Sequence, residues 1–74
     1  MDKWIEGEFV WIDVTKVTAI SCEDLYDEKK RKYKYLLYVF IEGQKILFDW
    51  RYTMDSIYNL IKQIQELQKV LLEG

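Results

Sequence analysis

Five cations, Lys29, Lys30, Arg31, Lys32 and Lys34, fall in the stretch "DEKKRKYKYLLY" beside Tyr33 and Tyr35. Ammonium and guanidinium groups meet phosphates, and tyrosine rings stack on bases. The stretch is therefore a candidate grip for single-stranded nucleic acid through Tyr33, Lys34 and Tyr35. The residues just before it argue against that use. Glu23, Asp24, Asp27 and Glu28 set four carboxylates against the five cations. They sit within a Debye length, about 8–10 Å, and cancel much of the distant field. The plainer reading is a solvated hairpin loop whose charge discourages edge-to-edge aggregation. A protein-docking loop is the intermediate reading.

Other reactive chemistry is thin. The chain has no histidine, so Ser-His and Cys-His nucleophile pairs cannot form within it. Cys22 is the only cysteine, which excludes an intrachain disulfide and a Cys/His zinc site. It reads as a small half-buried hydrophobe rather than a reactive thiolate. Gly7, Gly43 and Gly74 are scattered and make no phosphate loop. Asp13 and Asp49 both fall on strand segments, and a carboxylate pair is the minimum for acid–base catalysis. Without a cleft around them they read as solvated strand-end charges. The expectation is a non-enzymatic chain without metal or cofactor.

The elements that would position these residues follow from periodicity. "EFVWIDV", Glu8 to Val14, has the β-branched and aromatic content of a strand, with Phe9, Trp11 and Asp13 on one face. "KVTAISCE", Lys16 to Glu23, is a second strand, joined by a tight link or a bend near Thr15. Residues 23–32 lack an apolar period and read as a loop. "YKYLLYVFIE", Tyr33 to Glu42, is the longest strand candidate, and "ILFDW", Ile46 to Trp50, returns after a turn at Gly43. Trp4 falls outside these strands. From Thr53 onward the period changes. Ile57, Leu60, Ile61, Ile64, Leu67 and Leu71 recur at spacings of three and four, an amphipathic helix capped by Thr53 or Asp55. Gln68 interrupts the flanking stripe. The predicted fold is α+β, a small antiparallel sheet in the order β-β-β-β-α, packed by one C-terminal helix in a single domain spanning residues 1–74.

Twelve of 74 residues are aromatic, and one helix covers one sheet face. A two-layer fold therefore leaves rings over unless the sheet curls into a half-barrel and hides them, and exposed Trp and Tyr are typical anchors of protein contacts. Trp11, Tyr38 and Trp50, on three strand candidates, are the residues predicted to converge as that anchor. The net charge of −2 gives no global pull toward nucleic acid. The opening residues are too acidic for a signal peptide, and no apolar run reaches the roughly 20 residues of a membrane span. The lone cysteine fits a reducing cytoplasm.

At "WIDVTKVTAI", "YVFIEGQKILF" and the terminal helix, the layout resembles small bacterial and phage proteins in which a β-meander precedes one helix. The small flagellar-regulator proteins of the FlbD kind share that plan. The resemblance implies a fold and transfers no functional residue; the charged stretch 23–32 departs from it. The functional expectation is a protein-binding module, an accessory regulator or a phage-encoded inhibitor of a host protein, acting as a homodimer. The alternative is a single-strand nucleic-acid binder using residues 29–35.

Overall fold

A computed structural model describes residues 2–73. Among these residues the fold is α+β, with five antiparallel strands in two sheets and one C-terminal helix. Strands β1 (Trp4–Glu6) and β2 (Trp11–Asp13) form a small hairpin of their own, followed by a 3-10 turn at Val14–Lys16. Strands β3 (Val17–Asp27), β4 (Lys32–Ile41) and β5 (Gln44–Arg51) form a meander in the order β3-β4-β5. Helix α1 spans Met54–Glu73.

Several predicted boundaries move. The expected strand Glu8–Val14 contracts to β2, because Gly7 and its neighbours turn the chain back on itself and let Trp4 enter a strand. Residues 23–27, expected as loop, belong to β3: Glu23 to Asp27 pair with Leu36 to Lys32. Their charges hide the strand from a hydrophobic-period reading, while the ladder with β4 stabilises it. The true loop is 28–31. It is held by the Asp27 carboxylate, which accepts from the Lys29 and Lys30 amides at 3.0 and 3.3 Å. Arg31 closes it at φ 53°. Since β5 ends opposite Tyr35, the tip of β3–β4 runs on as a two-stranded ribbon.

The β4–β5 connection is a two-residue turn in which Glu42 and Gly43 both have positive φ, 54° and 79°. That geometry matches the right-handed twist of the flanking strands. Helix α1 starts at a Thr53 cap, whose hydroxyl oxygen accepts from the Ser56 amide at 3.2 Å. Its buried stripe is Ile57, Leu60 and Ile64.

Paired residues on neighbouring strands share a face. One face of the meander carries Leu37, Val39 and Ile41 from β4, with Ile20 from β3 and Ile46 from β5. The helix and the β1–β2 hairpin together cover it, and the core of Ile12, Val14, Val17, Leu37, Val39, Phe48, Ile57, Leu60 and Ile64 lies between. The ladder slips once in β5: Leu37 faces Asp49, Tyr38 faces Leu47, and Phe48 is an unopposed bulge residue. Phe48 and Asp49 are consequently both buried, although they are adjacent in sequence. A strict alternation would have placed Trp50 with Phe48. The bulge sends it to the other face.

Gly7 explains how the N-terminal hairpin reaches the bulge. A Cβ there would collide with the Phe48 carbonyl oxygen and stand 2.8 Å from its ring, so only glycine fits. The Phe9 amide also donates to the Phe48 carbonyl oxygen, at 3.4 Å. This contact covers part of the outer edge of β5.

Candidate functional site

The second face of the meander has no element packed on it among the described residues. Leu36, Tyr38 and Phe40 of β4 lie beside Leu47 and Trp50 of β5, and all five are half-buried. Lateral neighbours shield their flanks, while their tops meet solvent. Two of the predicted anchors, Tyr38 and Trp50, converge here. Trp11 does not. It is 60% exposed and lines a hollow of about 230 Å³ with Trp4, Ile41 and Ile46, on the covered side of the sheet. The expected convergence of three rings fails because β2 belongs to a separate hairpin rather than to the meander.

Charges frame the open face. Lys45 crosses the Tyr38 ring, its ammonium 4.4 Å from the ring centre, to pair with Glu23 of β3. That bridge reaches over β4 from one outer strand to the other. The Glu23 carboxylate accordingly raises the Lys45 pKa. At the ribbon end, Trp50 and Tyr52 meet edge to face, with ring centres 4.8 Å apart. Lys32 sits 3.7 Å over the Tyr52 ring and Lys34 sits 4.9 Å over Trp50. Lys30 reaches from the loop and donates to the Tyr52 hydroxyl at 2.8 Å. This hydrogen bond lowers the Tyr52 pKa and raises that of Lys30. Lys34 has a long ion pair with Asp27 at 4.0 Å; Lys30 and Lys32 pair with no carboxylate among the described residues.

The basic stretch thus divides. Lys30, Lys32 and Lys34 turn toward the open face, while Lys29 and Arg31 are exposed on the loop. The tyrosines expected to work with Lys34 lie elsewhere. Tyr33 and Tyr35 alternate with Lys32 and Lys34 and so occupy the opposite face, where Tyr33 packs edge-on against Tyr26 at 5.1 Å. The aromatic partners of the lysines are Trp50 and Tyr52, distant in sequence. Nothing in the run 27–38 announces Tyr52. The signal available was "DWRY", with rings at alternate positions following a strand.

The remaining candidates are structural. Asp13 and Asp49 are buried, not solvated as their strand-end positions implied. Each has its own partners. Asp13 accepts from the Thr15 hydroxyl and amide at 2.6 and 3.0 Å and pairs with Lys3 at 3.4 Å. The Thr15 hydroxyl is the main reason its pKa is lowered. Asp49 accepts from the Arg51 guanidinium and the Trp50 amide. Carboxylates satisfied in this way hold strands and turns in place. Cys22 is exposed rather than half-buried. Partial desolvation, then the Asp24 and Glu23 carboxylates, raise its thiol pKa, which disfavours the nucleophilic thiolate.

Among the described residues no group of His, Cys, Asp and Glu is placed to hold a metal ion, and no helix is long and apolar enough to cross a membrane. The chain matches no protein-family model, no curated protein and no solved structure.

Proposed function

We propose that the chain is a protein-binding module that works through the open face of its meander, with Tyr38 and Trp50 as the anchoring rings. The observation that carries this reading is the row Leu36, Tyr38, Phe40, Leu47 and Trp50, apolar at its centre, framed by charge and covered by nothing among the described residues. Interfaces have this anatomy, an aromatic and aliphatic centre with a polar rim. The module is a regulator or an inhibitor, acting by occupying a surface of its partner rather than by catalysis.

A second copy is the other candidate occupant, since a two-fold mate would shield the same apolar row. Two measurements separate the readings. Light scattering at micromolar concentration tells a 9.1 kDa monomer from a dimer. Affinity capture from a host lysate with the wild type and with Tyr38→Ala or Phe40→Ala then tests for a partner. A partner lost in both variants, which remain folded, supports docking on this face. A partner retained by both places docking elsewhere, and a dimer abolished by both makes the chain its own partner.

A further inference from the structure

We propose that the ribbon end of the open face, where Lys30, Lys32 and Lys34 gather on Trp50 and Tyr52, receives a carboxylate-rich segment of a partner protein. The inference rests on the protein-binding reading above and names the chemistry of that partner.

The chain carries a net charge of −2, yet at one end of one face it gathers three ammoniums around a single carboxylate, Asp27. Two of them, Lys30 and Lys32, have no carboxylate partner among the described residues. Contacts with aromatic ring faces hold Lys32 and Lys34 in place, which reduces the side-chain freedom lost when an anion binds. Lys30 is fixed by the Tyr52 hydroxyl. Each ammonium keeps donors in reserve, because a lysine has three and a ring face uses none as a conventional hydrogen bond. An acidic segment crossing here would meet ordered donors first and the apolar row of Leu36, Tyr38 and Leu47 next.

The same geometry disfavours the two other occupants. A base of single-stranded nucleic acid needs an open ring face for stacking. One face of each of Tyr52, Trp50 and Tyr38 carries the ammonium of Lys32, Lys34 or Lys45, which a base stacking there would have to displace. Face to face about a two-fold axis along the strands, two copies would set lysines against lysines, and like charges oppose that pairing. About an axis across the strands, the lysines would meet the Lys45–Glu23 end, whose carboxylate is already paired.

The test uses the whole chain and two probes, a fluorescent peptide of alternating Glu and Leu with a central Phe, and a fluorescent oligothymidylate. Anisotropy is read at low and at physiological salt, and the Trp50 indole proton is followed by NMR. The peptide is expected to bind with a shift of the Trp50 indole signal. Its affinity should fall about tenfold or more in Lys30→Gln/Lys32→Gln/Lys34→Gln, as expected when desolvated charge contacts are lost. The corresponding triple arginine variant should retain binding, and Lys16→Gln/Lys62→Gln/Lys69→Gln should bind nearly as the wild type does. Unchanged melting of each variant excludes unfolding as the cause. The inference is overturned if both glutamine variants weaken the peptide equally, if the Trp50 signal stays in place, if the oligothymidylate binds more tightly than the peptide, or if the wild type is a dimer that excludes the peptide. If a captured partner depends on Tyr38 and Phe40 but not on these lysines, the docking face stands and the acidic segment is rejected.

Discussion

The Gln68 side-chain nitrogen lies 2.8 Å from the Val14 carbonyl oxygen and 2.8 Å from that of Val17. One amide on the helix thus closes both ends of the 3-10 turn that joins the N-terminal hairpin to the meander. In the sequence Gln68 looks like a defect in an apolar stripe. In the fold it donates a second hydrogen bond to the Val14 carbonyl, which already accepts from the Val17 amide within the turn, and another to the Val17 carbonyl.

Replacing Gln68 by Leu keeps the bulk and removes both hydrogen bonds. We expect a loss of about 1–3 kcal/mol, the net contribution of two hydrogen bonds. Urea unfolding checks it: the midpoint should fall while the slope stays constant. A Gln68→Leu variant as stable as the wild type would mean that water replaces the amide at no cost.

Gly7→Ala tests the seat of the hairpin on the bulge. The added methyl would run into the Phe48 carbonyl oxygen, so backbone must move. Overpacking of this kind costs about 1–3 kcal/mol. Gly43→Ala is the comparison: nothing lies within 4 Å of its Cβ, and the strain comes only from φ +79°. Gly43→Asn, which tolerates that φ, should recover most of the loss. Thermal melts of the three variants should therefore rank Gly7→Ala lowest and Gly43→Asn highest.

The pH dependence of stability should show Asp13. Its folded pKa is lowered, chiefly by the Thr15 hydroxyl and then by the Thr15 amide and Lys3, against an opposing effect of burial. A depressed carboxylate pKa stabilises the fold above the unfolded value, near pH 4, and that stabilisation is lost as pH falls through the folded value. Asp13→Asn should therefore lower the melting temperature at neutral pH and converge on the wild type in acid. A constant gap across the acid limb would assign the effect to packing instead.

Phe48 and Trp50 are two residues apart, and a regular strand would give them one fate. The bulge separates them, so Phe48→Ala should cost about 3–5 kcal/mol of folding stability as a core ring does. Trp50→Ala should leave a folded monomer and weaken partner binding by about 2 kcal/mol or more, the mark of a central interface ring. Denaturant melts with a parallel binding assay decide it. If Trp50→Ala unfolds the chain as Phe48→Ala does, the open face is part of the core.

Much of the architecture is local and so is legible in the residues. The spacing of Ile57, Leu60 and Ile64 announces a helix with one buried stripe, and Thr53 marks its cap. The glycine at 43 marks the tight turn, and the alternating rings and aliphatics of 33–42 mark a strand with two apolar faces. These features depend on neighbours within a turn or a pleat. They also show more rings than one helix can cover, which leaves either an open aromatic face or a sheet curled around its own rings; the residues alone do not choose between them.

Which rings form that face was decided by pairing across the fold. β5 slips at Phe48 because a residue there can leave the ladder, enter the core and rest on Gly7, far away in sequence. That slip carries Trp50 to the open side, while the separate hairpin takes Trp11 away from it. The lysines are visible as a run, but their ring partners, Trp50 and Tyr52, are not, because strand register sets them side by side. Asp13 and Asp49 likewise look solvated until Thr15, Lys3 and Arg51 supply the donors that make burial tolerable. Periodicity reports the face of an isolated strand. A single unpaired residue reverses it, and only long-range packing determines where that residue falls.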